Sequence, residues 1–135
     1  MKRLIRFYIL NKWQGRWASS SLVNNKKYKK IRSSIKPWLS SFNANRRLEI
    51  ILSRLRIGHT FLTHKFLLES GSPPVCGECN STLSVEHILV QCTKYRNMRI
   101  KYGLHRKELP EILNDEADID SLIKFVKDIG IFNDI

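Results

Sequence analysis

The sequence predicts a mainly α protein, a small helical domain with a Cys3His zinc-binding loop and a basic N-terminal arm. Three observations predict it. Apolar residues return at helical spacing along most of the chain, and Gly58, Gly71, Pro73, Gly103 and Gly130 interrupt the pattern. Cys76, Cys79, His87 and Cys92 stand as Cys-x2-Cys-x7-His-x4-Cys, a spacing that collects four ligands on one ion. The net charge of +12 is segregated: residues 1–48 hold thirteen Lys/Arg and no acid, residues 49–107 carry +5, and residues 108–135 carry −6. A chain of 135 residues has room for one domain with a modest core. Its expected division is a basic amphipathic helix and linker over 1–45, a helical hairpin plus zinc-binding module over 46–103, and an acidic C-terminal helix over 104–135.

Residues 2–17 read as a basic helix, with Ile5, Ile9, Trp13 and Trp17 at four-residue steps among Arg3, Arg6, Lys12 and Arg16. The Trp13–Trp17 stripe is either a face packed on the rest of the protein or a platform on which unpaired bases stack. The same acid-free, Arg-bearing start also fits an import leader. Across residues 19–45 the helical period is lost, which predicts a connector with extended pieces. Within it Lys26, Lys27, Lys29, Lys30 and Arg32 form a dense target for phosphates, against the plainer reading of a solvated loop. Pro37 holds Lys36 extended and presents Trp38 as an anchor into the core.

Asn45 caps an expected helix to residue 57, with Leu48, Ile51, Leu52 and Leu55 on one face and Gly58 as its stop. Thr60 caps a second, running to Gly71, and the short joint makes the two helices neighbours. His59 and His64 are candidates for replacement ligands or, more simply, for hydrogen bonds. Past Pro73 and Pro74 comes the metal loop, then a single helix over 85–102 that carries His87 in its first turn and Cys92 one turn on. Lys94, Arg96, Arg99 and Lys101 lie between its apolar positions, so that face can follow a phosphate backbone or simply stay wet. Pro110 starts a short turn. Asp118 or Asp120 caps a last helix over 119–129, and Gly130 closes it.

Three thiolates and one imidazole close a tetrahedron and leave no position for water, so the expected Zn2+ is structural. An odd cysteine count with a Cys-x-x-Cys pair points to a reducing compartment, nucleus or cytoplasm. No apolar run approaches the ~20 residues of a membrane span, so no membrane partner is expected.

Trp13-Gln14 with Trp17, Ile35-Lys36-Pro37-Trp38, Arg54-Leu55-Arg56-Ile57-Gly58-His59-Thr60, Leu62-Thr63-His64 and Val85-Glu86-His87-Ile88-Leu89, together with the Cys/His set, resemble the C-terminal tail of non-LTR retrotransposon polyproteins of the jockey-like kind. There the segment follows a reverse transcriptase and an RNase H domain. The part from Cys76 to Cys92 is also similar to the zinc-binding domain associated with reverse transcriptases. The resemblance implies Cys76, Cys79, His87 and Cys92 as zinc ligands and an element-derived origin. It implies no catalysis, because polymerase and RNase H reactions need clustered metal-binding carboxylates, and Glu49, Glu69, Glu78 and Glu86 are scattered.

The expected function is a zinc-stabilised nucleic-acid-binding accessory module, with RNA or DNA as partner and no catalytic residues. Its alternative is a protein-interaction tail that packs on reverse transcriptase or RNase H domains through Trp13, Trp17 and Trp38. A nuclease is the third reading, and it needs an open metal position that the ligand set does not offer.

Overall fold

The computed structural model describes residues 2–19, 26–39 and 45–135, and for residues 26–28 the backbone alone. Asn45 accepts hydrogen bonds from the Arg47 and Leu48 amides at 3.1 and 3.3 Å and starts one helix, here α3 (Arg46–Ile57). Its Ile51, Leu52 and Leu55 are buried at i, i+1 and i+4. Gly58 ends it at φ 83°, a conformation that strains any L side chain. Among the described residues two α-helices precede it: α1 (Lys2–Ser19) and α2 (Lys26–Ile31). Four follow: α4 (Phe61–His64), α5 (Arg96–Lys101), α6 (Leu109–Leu113) and α7 (Ile119–Asp128). Among the described residues there is no strand beyond one antiparallel bridge, Val75 to Thr82.

The core runs through all three charge segments, from Ile31 through Leu52, Leu89 and Leu113 to Phe125, Val126 and Ile135. Its hub is the short α6, which packs against α2, α3, α7 and the turn that carries His87. Pro110 stands in the first turn of α6, and Glu108 and Glu111 cap it reciprocally. At its other end the buried Arg56 donates from Nε to the Leu113 carbonyl at 3.0 Å, which satisfies a carbonyl that has no helical partner. Asp118 caps α7 by accepting from the Ser121 amide, and Leu122, Ile123, Phe125 and Val126 form its inner face.

Three expected elements differ. Residues 26–31 are helical rather than part of an extended connector: Ile31 is buried, and packing of α2 on α3 and α6 supplies what six residues cannot supply alone. The helix expected from Thr60 to Gly71 keeps its cap but closes after His64, giving way to a 3-10 turn over Lys65–Leu67. Phe61, Leu67 and Leu68 are exposed there, so no buried face rewards continuation. The single helix expected over 85–102 is broken at Cys92, whose backbone leaves the helical winding.

The basic arm is tied down by one acid of the tail. Arg32 is buried and pairs with Asp115, whose other oxygen accepts from the Leu39 amide at 3.0 Å. Arg32 also donates to the carbonyls of Ser34, Lys36 and Pro37. The guanidinium carbons of Arg32 and Arg56 lie 4.1 and 3.6 Å from the centre of the Trp38 ring. Two groups that close to one centroid cannot share a face without overlapping, so the indole is sandwiched. Trp38 is the core anchor that its position after Pro37 predicts.

Trp13 contradicts the packed-face reading. No residue of α1 is buried, and Trp13 is 59 % exposed. The helix is held through Gln14, which donates to the Ser33 carbonyl at 2.8 Å and accepts from the Ile35 amide at 3.0 Å. No described helix is long and apolar enough to cross a membrane.

Candidate metal centre

Two prolines deliver the chain into a tight hairpin. The Leu83 amide donates to the Pro74 carbonyl at 2.8 Å, the Cys76 amide to Ser81 at 2.9 Å, and the Asn80 amide back to Cys76 at 2.9 Å. Asn80 takes the left-handed conformation, φ 54°, that asparagine tolerates better than most residues. The turn thereby aims Cys76 and Cys79 to one side.

The other two ligands come from a wound segment that is not an α-helix. Over His87–Gln91 the backbone opens to a π turn, and the Cys92 amide reaches the His87 carbonyl at 2.7 Å. In an α-helix five residues advance about 140° beyond a full turn, which would splay His87 and Cys92 apart. The wider turn returns Cys92 over His87. Cys92 then leaves the winding at ψ 123°, which breaks the expected long helix, and the chain resumes through Thr93–Tyr95 into α5. The Ser84 hydroxyl accepts from the His87 amide at 3.0 Å and starts the turn.

The candidate ligand atoms of Cys76, Cys79, His87 and Cys92 all lie within 4.8 Å of one another. Sγ of Cys92 is 3.7 Å from that of Cys76 and 3.9 Å from that of Cys79. The cysteines are free, and tetrahedral zinc with bonds of ~2.3 Å sets its sulfurs roughly 3.8 Å apart. His87 completes the fit. Its Nδ1 is 3.2 Å from the Ser81 hydroxyl, while its buried Nε2 has no hydrogen-bond partner. A hydrogen bond that orients the ring and a second ring nitrogen left without a hydrogen-bond partner are what a metal-ligating imidazole needs. The arrangement is compatible with a metal site of four ligands.

The surroundings treat the thiols unequally. The Thr93 hydroxyl, 3.3 Å from Cys79 Sγ, is the main reason that this thiol titrates below the ordinary range. Burial, then the Cys76 contact, push the Cys92 thiol up. A coordinated cation deprotonates both kinds outright. Behind the cluster the buried Arg99 donates to the Cys92 carbonyl at 2.7 Å and to that of Ile88 at 3.3 Å. It mends the carbonyls that the break leaves unpaired and sets a positive charge near Cys92 and Cys79.

Compared with family models, curated proteins and solved structures, the chain matches none.

The expected cationic residues separate on folding. Lys30, Lys94 and Arg96 are exposed. Lys29 is half-buried with its ammonium 5.7 Å from the Trp17 ring. Lys101 is exposed but bonded to Asp128 at 2.8 Å; that bond, then Tyr102, push its ammonium up to about 12. Arg32 and Arg99 are corrections to the phosphate-contact set. Their guanidiniums are buried and committed to Asp115 and to backbone carbonyls. The side chains of Lys26 and Lys27 lie outside the described residues. His59 and His64 do not join the cluster: their rings stack at 3.8 Å, and His64 Nδ1 lies 2.7 Å from the Thr63 hydroxyl.

Sequence reasoning missed Ser81, Thr93 and Arg99 as supports of the site. A hydroxyl residue next to a ligand was the legible signal for Thr93; Arg99 has none, since its partners are carbonyls that the break creates.

Proposed function

We propose that this chain is a zinc-stabilised nucleic-acid-binding accessory module with no catalytic site of its own, derived from the tail of a non-LTR retrotransposon polyprotein. The observation that carries the binding reading is the imbalance of the arm. Residues 1–48 contain thirteen cations and no acid, and the tail acid Asp115 is spent on the buried Arg32. Lys30, Lys36, Arg46, Lys94 and Arg96 stay exposed to meet a polyanion. Zinc is favoured by the donor set of three sulfurs and one nitrogen and by the spacing of those sulfurs. The non-catalytic reading rests on the ligand count, since four protein donors fill a tetrahedron.

Fluorescence polarisation of labelled RNA and DNA across a salt series tests the proposal. Binding is expected to weaken steeply with salt. Lys26→Ala, Lys27→Ala, Lys29→Ala and Lys30→Ala together are expected to reduce the salt slope by roughly one for each phosphate they leave unneutralised. Unchanged affinity in that variant refutes the role of the arm. The second reading, a tail that docks on reverse transcriptase or RNase H domains, is favoured by the exposure of α1. Self-association or aggregation without nucleic acid supports it.

A further inference from the structure

The described surface has one feature that the metal centre and the exposed lysines do not use. Over eighteen residues α1 half-buries only Gln14 and Trp17, and Leu4, Ile5, Phe7, Tyr8, Ile9, Leu10 and Trp13 are each between 42 and 74 % exposed. Apolar surface of that extent marks a binding face. What covers it is constrained by charge. The helix carries Lys2, Arg3, Arg6, Lys12 and Arg16 and no acid, so a second copy of α1 is repelled. Five acids of the tail are engaged elsewhere. Asp115 holds Arg32, Asp128 holds Lys101, Asp120 pairs with Lys124, and Asp118 and Glu111 cap helices. The occupant is an external anion that also offers apolar surface.

The distribution along the helix selects among such anions. A helix that lies in a membrane interface keeps its cations on one side and its apolar residues on the other. Here they alternate: one shallow groove is lined together by Lys2, Ile5, Arg6, Ile9, Leu10 and Trp13. Trp13 brings the aromatic ring to this face, beside the cations of Lys2 and Arg6. A single nucleic-acid strand has the matching chemistry, because phosphates and base faces alternate along it and aromatic rings can stack on any base. A closed duplex hides those faces within its own stack.

We infer that this face of α1 is a docking surface for single-stranded nucleic acid, whose phosphates meet Lys2 and Arg6 and one of whose bases stacks on Trp13. This rests on the nucleic-acid reading above and narrows it to an unpaired strand.

The test uses the full chain with labelled oligo-dT and a mixed-sequence duplex of equal length, read by polarisation and by tryptophan fluorescence. Oligo-dT is expected to quench Trp13. Trp13→Ala is expected to weaken oligo-dT binding at least about fivefold while duplex binding changes less than about twofold. Trp13 is exposed, so an unchanged melting temperature checks that the variant folds. Equal losses for strand and duplex, or binding without quench, overturn the inference and leave general nucleic-acid binding standing. No binding of either probe at low salt overturns both. Retention on anionic vesicles, or capture by a purified reverse transcriptase–RNase H protein, without oligonucleotide binding overturns it in favour of a lipid or protein partner.

Discussion

Cys79→Ser separates a metal centre from a cluster of packed thiols. Cys79 sits half-exposed on the hairpin turn, and its one hydroxyl contact is with Thr93 on the surface. If the cysteines were only small apolar side chains, the change would fall within the ~0.5 kcal/mol of an ordinary surface substitution, plus at most about 1 kcal/mol for the hydrogen bond. With an ion bound, the change removes one of four ligands. Zinc contributes about 10–16 kcal/mol of apparent stability to small structural sites, as much as the ~5–15 kcal/mol that holds a whole domain together. Loss of only a quarter of it, about 3 kcal/mol, lowers the melting temperature by roughly 10 °C in a chain of this size. The effect must spread beyond the hairpin, because Val85, Ile88 and Leu89 next to His87 belong to the common core. The assay is thermal unfolding with and without chelator, alongside metal analysis of wild type and variant. One zinc per wild-type chain, a large shift with chelator, and a comparable shift in the variant are expected. A wild type that holds no zinc, or a variant with unchanged melting and metal content, refutes the assignment.

Trp38→Ala removes the ring between Arg32 and Arg56 and leaves two buried cations facing a void; urea denaturation is expected to show a loss of about 2–4 kcal/mol, and a change under about 1 kcal/mol would rule out the sandwich as a core element. Asp115→Asn strips the counter-charge from Arg32, but since Asp115 is partly exposed the expected loss is about 1–3 kcal/mol, with faster amide exchange at Leu39; unchanged exchange there would sink the latch. His64 is expected to titrate by NMR below the ordinary histidine value of 6.5, through burial first and the stacked His59 second. A folded-state value that is depressed means that its share of stability is complete above about pH 6.5 and is lost on acidification. His59→Gln should bring the value part of the way back, and no movement would show that the stacked ring has no influence.

How much of this was legible follows from how local each determinant is. The caps at Asn45, Thr60 and Asp118 and the stops at Gly58, Gly103 and Gly130 lie where the sequence puts them, because a capping hydroxyl or carboxylate and a positive φ are settled within a few residues. The four clustered side chains were legible for the same reason, through spacing. The path of the chain between them was not. Residues 85–102 contain no glycine or proline, and their break is the turn that brings Cys92 beside Cys76 and Cys79. Likewise α2 owes its form to burial of Ile31 against helices that lie far along the chain.

The sequence by itself determined that the chain is mainly helical, which residues cap α3, α4 and α7, which four residues can share an ion, and that the arm is cationic throughout. Those properties reside in neighbouring residues and in composition. Tertiary structure decided which cations remain available. Arg32, Arg56 and Arg99 are as basic on paper as Lys30 or Arg96, yet folding buries all three against Asp115, Trp38 and unpaired carbonyls. The converse decision concerns Trp13, which helical spacing would equally place in a core and which the fold leaves outside. A side chain's charge or apolarity is its own property. Whether water, a helix end or a partner answers it depends on what distant parts of the chain bring alongside.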